Sequence, residues 1–310
     1  MSDLSRPEFH DPEAARQWLE TELWPDGPVC PHCGTINQAT LMHGKTTRPG
    51  LYQCNACREP FTVTVGTLYE RSHVPLNKWL AATHLLMASK KGMSSLQIGR
   101  LLGLSKKTSW FLCHRIRESL PDDLPLNGGE PIGGKNKVVE IDETYVGGRA
   151  ANRKNHVPPK AIVLSLVERG GKVRSHHVAD VTGKTLRNVI VTQVDRASYI
   201  MTDEAPQYKS IGREFDGHGS VNHSAEEYVR AYFYYTNTVE GYFSILKRGI
   251  IGVYHHTSKD HLHRYLAEFD YRYNNREANG VGDAERMRKS IKGIVGRRLT
   301  YRRIGSGANV

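Results

Sequence analysis

Four of the five cysteines in this 310-residue chain fall in two C-x-x-C pairs, Cys30-Pro31-His32-Cys33-Gly34 and Cys54-Asn55-Ala56-Cys57. Each pair can wrap two sulfurs around one ion, and two such knuckles complete a closed four-thiolate zinc site. A redox dithiol would need only one pair at the start of a helix, and a disulfide scaffold suits an oxidising compartment rather than this spacing. Gly34, directly after a second cysteine, lets the chain turn tightly around the thiolates. Residues 51–53 and 61–65 read as strands flanking the second knuckle. Cys30, Cys33, Cys54 and Cys57 are therefore expected to hold a structural Zn²⁺ in a small ribbon. His32, with four cysteines already available, is read as a surface residue. Asp11-Pro12-Glu13 is expected to open a short helix ahead of the ribbon, with Asp11 as its cap.

From Pro75 the pattern turns helical, with Trp79, Leu80, Thr83, Leu86 and Met87 in one stripe. Ser94 then opens a second helix, Gly103-Leu104-Ser105 makes a short turn, and Lys106-Lys107-Thr108-Ser109-Trp110 leads a third through Ile116. Two short helices across a glycine turn, the second opening with basic and hydroxylic residues, predict a helix-turn-helix. Lys106, Lys107, Thr108 and Ser109 would face DNA, Arg115 and Arg117 would reach phosphates, and Trp110, Leu112 and Ile116 would pack inward. An ordinary helical hairpin with a solvated basic face is the alternative. Cys113 reads as a small core residue. Glycines and prolines between residues 120 and 137 mark a linker.

Beyond it lies Val138-Val139-Glu140-Ile141-Asp142-Glu143-Thr144-Tyr145-Val146-Gly147-Gly148. This reads as a buried strand with carboxylates at its centre, where a charge is costly unless paired or bound to a metal. An edge strand with solvated acids is the alternative. Residues 161–168 and 173–178 read as a hairpin about Arg169-Gly170-Gly171-Lys172. Thr182 caps a helix, and residues 198–203 form a fourth strand ending at Asp203. Together these predict an α/β layer on one mixed sheet. If the first and fourth strands run parallel, Asp142 and Asp203 come to one end of it. Read as a helix, the segment after Tyr235 puts Asn237, Glu240, Ser244 and Lys247 on one face. Strand alternation puts Glu140 on the face of Asp142 and turns Glu143 away; Glu140 and Glu204 read as structural or solvent-facing. Three carboxylates from two strands and a helix can hold two divalent ions about 4 Å apart for in-line phosphoryl displacement. Oxygen ligands select Mg²⁺ or Mn²⁺. Lys247 and the adjoining Arg248 are placed to meet a phosphate.

The D-E-T-Y-V-G-G strand, the later T-D-E-x-x-x-Y and N-T-V-E-G-Y-F-S-I-L-K-R-G resemble the core of bacterial insertion-sequence transposases. They are most similar to the ISXO-like group, the fifteen-ninety-five family, which joins a zinc ribbon to an RNase H-like DDE core. Pro31 to Gly34, Tyr254-His255-His256 and His261-Leu262-His263-Arg264-Tyr265 share the likeness, which spans roughly residues 8 to 277. It implies Mg²⁺-dependent cleavage at the ends of a mobile element and strand transfer into target DNA. Asp142 and Asp203 match the first two acids. For the third, Glu240 is favoured for its full charge and for Lys247 seven residues on, with Asn237 as the alternative. The resemblance also implies double-stranded DNA as partner, a homo-oligomer on that DNA and a bacterial, nucleoid-associated cytoplasmic setting. A DNA-binding regulator with an inactive core, or an RNase H-like nuclease or resolvase, remain as other readings.

The charge balance agrees with a polyanionic partner: net charge is +11 and the pI near 9.4. Eight basic residues and no acid lie between Arg286 and Arg303, which reads as a phosphate-binding arm. His223, His255 and His256 are read as exposed, with DNA contact as the alternative; Tyr265, Phe269, Tyr271 and Tyr273 are read as packing residues. No apolar run is long enough to span a bilayer, and residues 1–18 lack a signal peptide's core. The expected division is a helix and ribbon over 1–70, a helix-turn-helix over 71–125, a linker over 126–136, an RNase H-like core over 137–277 and a basic tail over 278–310.

Overall fold

Asp11 caps helix α1 (Pro12–Leu23) by accepting the Ala14 N–H at 2.8 Å. The computed structural model describes residues 3–120, 129–147, 160–221 and 235–300. Arg153, Lys154, His156, His223, the aromatic residues 232–234, Arg302 and Arg303 lie outside them. The chain divides into two units, one of residues 1–89, 93–121 and 281–310, the other of residues 90–92 and 122–280.

In the first unit the ribbon is a three-stranded antiparallel sheet of β1 (Ala39–Leu41), β2 (Tyr52–Cys54) and β3 (Pro60–Phe61). The strand expected through residue 65 stops at Phe61, because the chain turns there: the Val65 N–H returns to the Thr62 carbonyl at 3.0 Å. Phe61 instead closes an aromatic group with Trp24 and Tyr52, ring centroids 5.5–5.8 Å apart. Helix α2 (Leu76–Ala88) buries the whole Trp79-to-Met87 stripe. Helices α3 (Ser95–Leu102) and α4 (Lys106–Glu118) are capped by the Ser94 and Ser105 hydroxyls, and α3 ends at Gly103 in the left-handed conformation. The two helices meet at Gly99: a Cβ there would lie 2.8 Å from Ser109 Oγ and 3.2 Å from the Leu104 carbonyl.

The basic segment near the C-terminus is not a free arm over its described part. Asp283–Lys292 is a helix, and its Arg286 turns inward. Arg286 donates to the Met87 carbonyl at 2.9 Å and to Asp283, and Arg297 donates to the carbonyls of Glu118 and Leu120 at 2.6 and 3.0 Å. These bonds satisfy carbonyls at the ends of α2 and α4, a use of arginine that charge counting does not separate from phosphate binding.

The second unit carries a five-stranded sheet of β4 (Val138–Val146), β5 (Ala161–Glu168), β6 (Val173–Val178), β7 (Tyr199–Asp203) and β8 (Gly217–Val221). Spatial order is β6-β5-β4-β7-β8. The first three strands are antiparallel neighbours, while β7 runs parallel to β4 and β8 parallel to β7. Helices α5 (Gly183–Gln193) and α6 (Pro206–Gly212) make the crossovers and cover one face through Leu186, Ile190, Tyr208 and Ile211. Helices α7 (Asn237–Gly249) and α8 (Lys259–Asn274) cover the other through Val239, Phe243, Leu246, Leu262 and Phe269. This mixed three-layer arrangement is the expected RNase H-like fold. The unit also begins before residue 137, since Ile132 is buried and bridges to Val194. Strand β8 and helix α6 were not legible; Gly217-His218-Gly219-Ser220-Val221 has too little β propensity to read as a strand.

Candidate functional site

The parallel ladder pairs Val138 with Tyr199 and Glu140 with Met201, and stops there. Continuing its offset by two residues brings Asp142 level with Asp203, where β4 has parted from β7. Both acids thus stand at an opening between central strands, the usual position for ligands on an open α/β sheet. Helix α7 supplies the third element. Its exposed face carries Asn237, Glu240 and Lys247 in the expected spacing, with Arg248 exposed next to Lys247.

Asp142 is half-buried, and its Oδ1 accepts the Glu143 N–H at 2.7 Å. Burial, then the negative charges of Glu143, Asp203 and Glu240, push its carboxyl up to about 7. Asp203 and Glu240 therefore both lie within electrostatic reach of Asp142, and a cation beside Asp142 would offset what opposes its ionisation. The three do not all fall within 4.8 Å of one another; among the described residues only the four cysteines form such a group. Asp203 Oδ1 also accepts the Ala205 N–H at 3.0 Å, at the start of α6.

Glu143 and Glu140 leave β4 on opposite sides, as alternation requires. Glu143 meets α6, where the buried Tyr208 hydroxyl donates to it, and its carboxyl is raised chiefly by burial. That bond joins the D-E-T motif to the tyrosine of T-D-E-x-x-x-Y. Glu140 is fully buried under the start of α7. Its Oε2 accepts the N–H groups of Thr238 and Val239 at 2.8 and 3.0 Å, and its Oε1 accepts the Thr238 hydroxyl at 2.9 Å. Arg169, on the β5–β6 hairpin, donates to the same carboxylate at 2.6 Å and to the Tyr235 carbonyl at 2.6 Å. A cap supplied from a strand 98 residues away leaves no local sequence signal. Glu204 is exposed beside Asp203.

In the ribbon the four sulfurs lie within 4.8 Å of one another, with Cys30–Cys57 at 3.7 Å and Cys33–Cys54 at 3.6 Å. Tetrahedral Zn–S bonds of about 2.3 Å require sulfurs about 3.8 Å apart, so this set fits one zinc ion. Both knuckles close alike, the Gly34 N–H bonding the Cys30 carbonyl and the Arg58 N–H the Cys54 carbonyl. The Thr35 hydroxyl, 3.4 Å from Cys54 Sγ, is the largest cause lowering that thiol to about 6, which favours the thiolate a metal needs.

The helix-turn-helix surface is narrower than its sequence suggests. Lys106 and Lys107 are exposed at the start of α4, and Thr108 is half-buried. Ser109 is fully buried, turned onto Gly99 and donating to the Lys106 carbonyl at 3.2 Å. Arg115 is also buried, its guanidinium 5.1 Å from the Trp79 ring and 5.8 Å from that of Phe111, and it donates to the Glu70 carbonyl. Arg117 is buried, whereas Trp110 is exposed and packs beside His114. The expected inward and outward positions on this helix are therefore partly exchanged, with Arg115 packed against Trp79 of α2.

A mixed sheet in this order, with acids from its first and fourth strands and the following helix at one opening, is the frame of a DDE-type polynucleotidyl transferase. Residues 132–274 match the family described as the ISXO2-like transposase domain, and residues 10–59 match the transposase zinc-ribbon domain of the same group. The chain thus carries both the zinc-ribbon and the transposase-domain matches of this group. It is 26% identical over 289 residues to an uncharacterized protein in transposable element ISH50 of Halobacterium salinarum, spanning 85% of this chain and 91% of that protein. It is also 25% identical over 203 residues to the male abnormal protein mab-31 of Caenorhabditis elegans, spanning 58% of this chain and 47% of that protein. A chain in the crystal structure of a pre-cleavage Mos1 transpososome aligns over 69% of this chain and 75% of its own, at 8% identity and a TM-score of 0.28. Among the described residues no helix is long and apolar enough to cross a membrane.

Proposed function

We propose that this transposase cleaves the ends of an insertion sequence and joins them to target DNA, acting as a homo-oligomer on double-stranded DNA at a bacterial nucleoid. The observation that carries this is that Asp203 from β7 and Glu240 from α7 both lie within electrostatic reach of Asp142 from β4. Their all-oxygen donor set suits Mg²⁺ or Mn²⁺, and the raised Asp142 carboxyl fits a position whose ionisation a cation would favour. When bound, such ions supply Lewis acidity and charge neutralisation for phosphoryl displacement. The chain's own residues divide the remaining work. Asp142 and Asp203 face the opening as ligands, Glu240 supplies the third carboxylate, and Asn237, one turn earlier, offers a neutral amide to the same face. Lys247 and Arg248, two turns along α7, hold the phosphate backbone of the end being cut. Lys106, Lys107 and Thr108 hold duplex DNA at the helix-turn-helix, and the zinc ribbon keeps that unit folded.

The test incubates purified protein with Mg²⁺ and DNA carrying the flanking element's ends. Cleaved ends and joined products are expected, and both should vanish in Asp142→Asn and Asp203→Asn. Unchanged cleavage in either variant would refute the assignment, and cleavage without joined products would mark a nuclease. Comparing Glu240→Gln with Asn237→Ala identifies the third ligand, since full activity in Glu240→Gln hands that role to Asn237.

A further inference from the structure

We propose that Glu140 and Arg169 form a latch that sets where the third acid of the site stands, which makes them positioning residues for metal binding; this rests on the reading of Asp142, Asp203 and α7 given above. Glu140 and Asp142 project from the same face of one strand, two residues apart. The Glu140 carboxylate takes two N–H groups at the first turn of α7, those of Thr238 and Val239, and the Thr238 hydroxyl as well. Glu240 is the residue directly after Val239. The distance from Asp142 to Glu240 is therefore governed by a carboxylate next to the first and a helix end next to the second. Arg169 completes the latch from the hairpin: it neutralises Glu140 at 2.6 Å, holds the Tyr235 carbonyl just before α7, and lies 3.6 Å from the Tyr235 ring centroid. The Arg169 N–H bonds the Val138 carbonyl at 3.0 Å, so the latch is fixed to β4 at both ends. A buried glutamate with every acceptor engaged is not a fourth metal ligand. Its chemistry is that of a cap, favoured further by the positive end of the helix dipole.

A site whose ligands come from separate elements loses function when one element shifts by about 1 Å, on the order of 10²-fold in rate. The experiment uses the full-length protein and four variants: Glu140→Gln, Arg169→Lys, Thr238→Val and Asp142→Asn. Mn²⁺ binding is followed by electron paramagnetic resonance, end-DNA binding by mobility shift, cleavage across a metal titration, and amide exchange by mass spectrometry. Glu140→Gln is expected to raise the half-saturating Mn²⁺ at least tenfold and slow cleavage about 10²-fold. End-DNA binding should stay within twofold, and faster exchange should be confined to the first turn of α7. Arg169→Lys, which keeps the charge and loses the fork, and Thr238→Val, which removes one bond, should fall between Glu140→Gln and the unaltered protein. Those two carry the test if Glu140→Gln does not fold. A lowered melting temperature with an unaltered Mn²⁺ midpoint in the folded variants overturns the latch while leaving the metal reading intact. Unaltered Mn²⁺ binding in Asp142→Asn overturns that reading itself, and the latch with it.

Discussion

Two backbone positions and one half-buried acid show how far single residues depend on context. Gly34 and Arg58 each follow the second cysteine of a knuckle and each is left-handed, at φ 77° and 64°. Only one is a glycine. Side chains resist that conformation by about 1–2 kcal/mol, less the entropy a glycine brings to the unfolded chain. Arg58→Gly is therefore expected to stabilise the zinc-loaded ribbon by up to about 1 kcal/mol, and Gly34→Ala to destabilise it by about the same, both read from thermal melts. In the second unit, Asp270 is half-buried and accepts from the Tyr242 hydroxyl, the Ser175 hydroxyl and the Ser175 N–H. Burial outweighs those bonds and raises its carboxyl to about 7 from an ordinary 3.8. The folded state then holds this proton more tightly than the unfolded chain. The stability it contributes is complete below about pH 4 and is lost as pH rises through about 7. Asp270→Asn should flatten that part of the stability profile; an unchanged slope between pH 4 and 7 would show that other groups govern it.

At the scale of elements, α4 is the clearest case of a helix whose sequence pattern and burial disagree. Its opening lysines are exposed, but Ser109 is committed to the contact with Gly99 and Arg115 to the packing beside α2. Lys106→Ala and Lys107→Ala are each expected to weaken DNA binding across sequences and reduce the salt slope by about one. Ser109→Ala should leave that slope where it is, and a change would mean that the hydroxyl faces DNA after all. Gly99→Val drives side-chain atoms into the Leu104 carbonyl and should lower the melting temperature of the first unit, because backbone there cannot give way as a flexible side chain would.

Across the whole molecule, the two units predict separable failures. Cys54→Ser removes one of four zinc ligands, and a closed thiolate site is a folding element. Region-resolved amide exchange should show residues 30–61 opening in this variant while β4, β5 and β7 stay protected, with weaker binding to element ends. Loss of protection in the sheet would show that the two units fold as one. The C-terminal helix belongs to the same argument: Arg286 and the following Arg297 bond carbonyls of the first unit, so deletion from Asp283 onward should lower that unit's melting temperature as well as the protein's positive charge.

What the sequence determined by itself was the set of short-range patterns with strong chemistry. The cysteine spacing specifies a four-thiolate set, serine and threonine caps mark where α3, α4 and α5 begin, and the alternation about Asp142 marks a strand with buried acids. The N-x-x-E-x-x-x-S-x-x-K spacing likewise defines one face of α7. These are local properties, and local rules read them. Tertiary structure alone decided which acids meet. Asp142 and Asp203 are level only because β7 joins β4 in parallel at one register, and Glu140 caps α7 only because the fold lays that helix end over the strand. It also decided which of the basic residues bind backbone carbonyls rather than DNA. A formal charge is the same in either place; burial against α2 and the ends of neighbouring helices makes Arg115, Arg286 and Arg297 part of the fold.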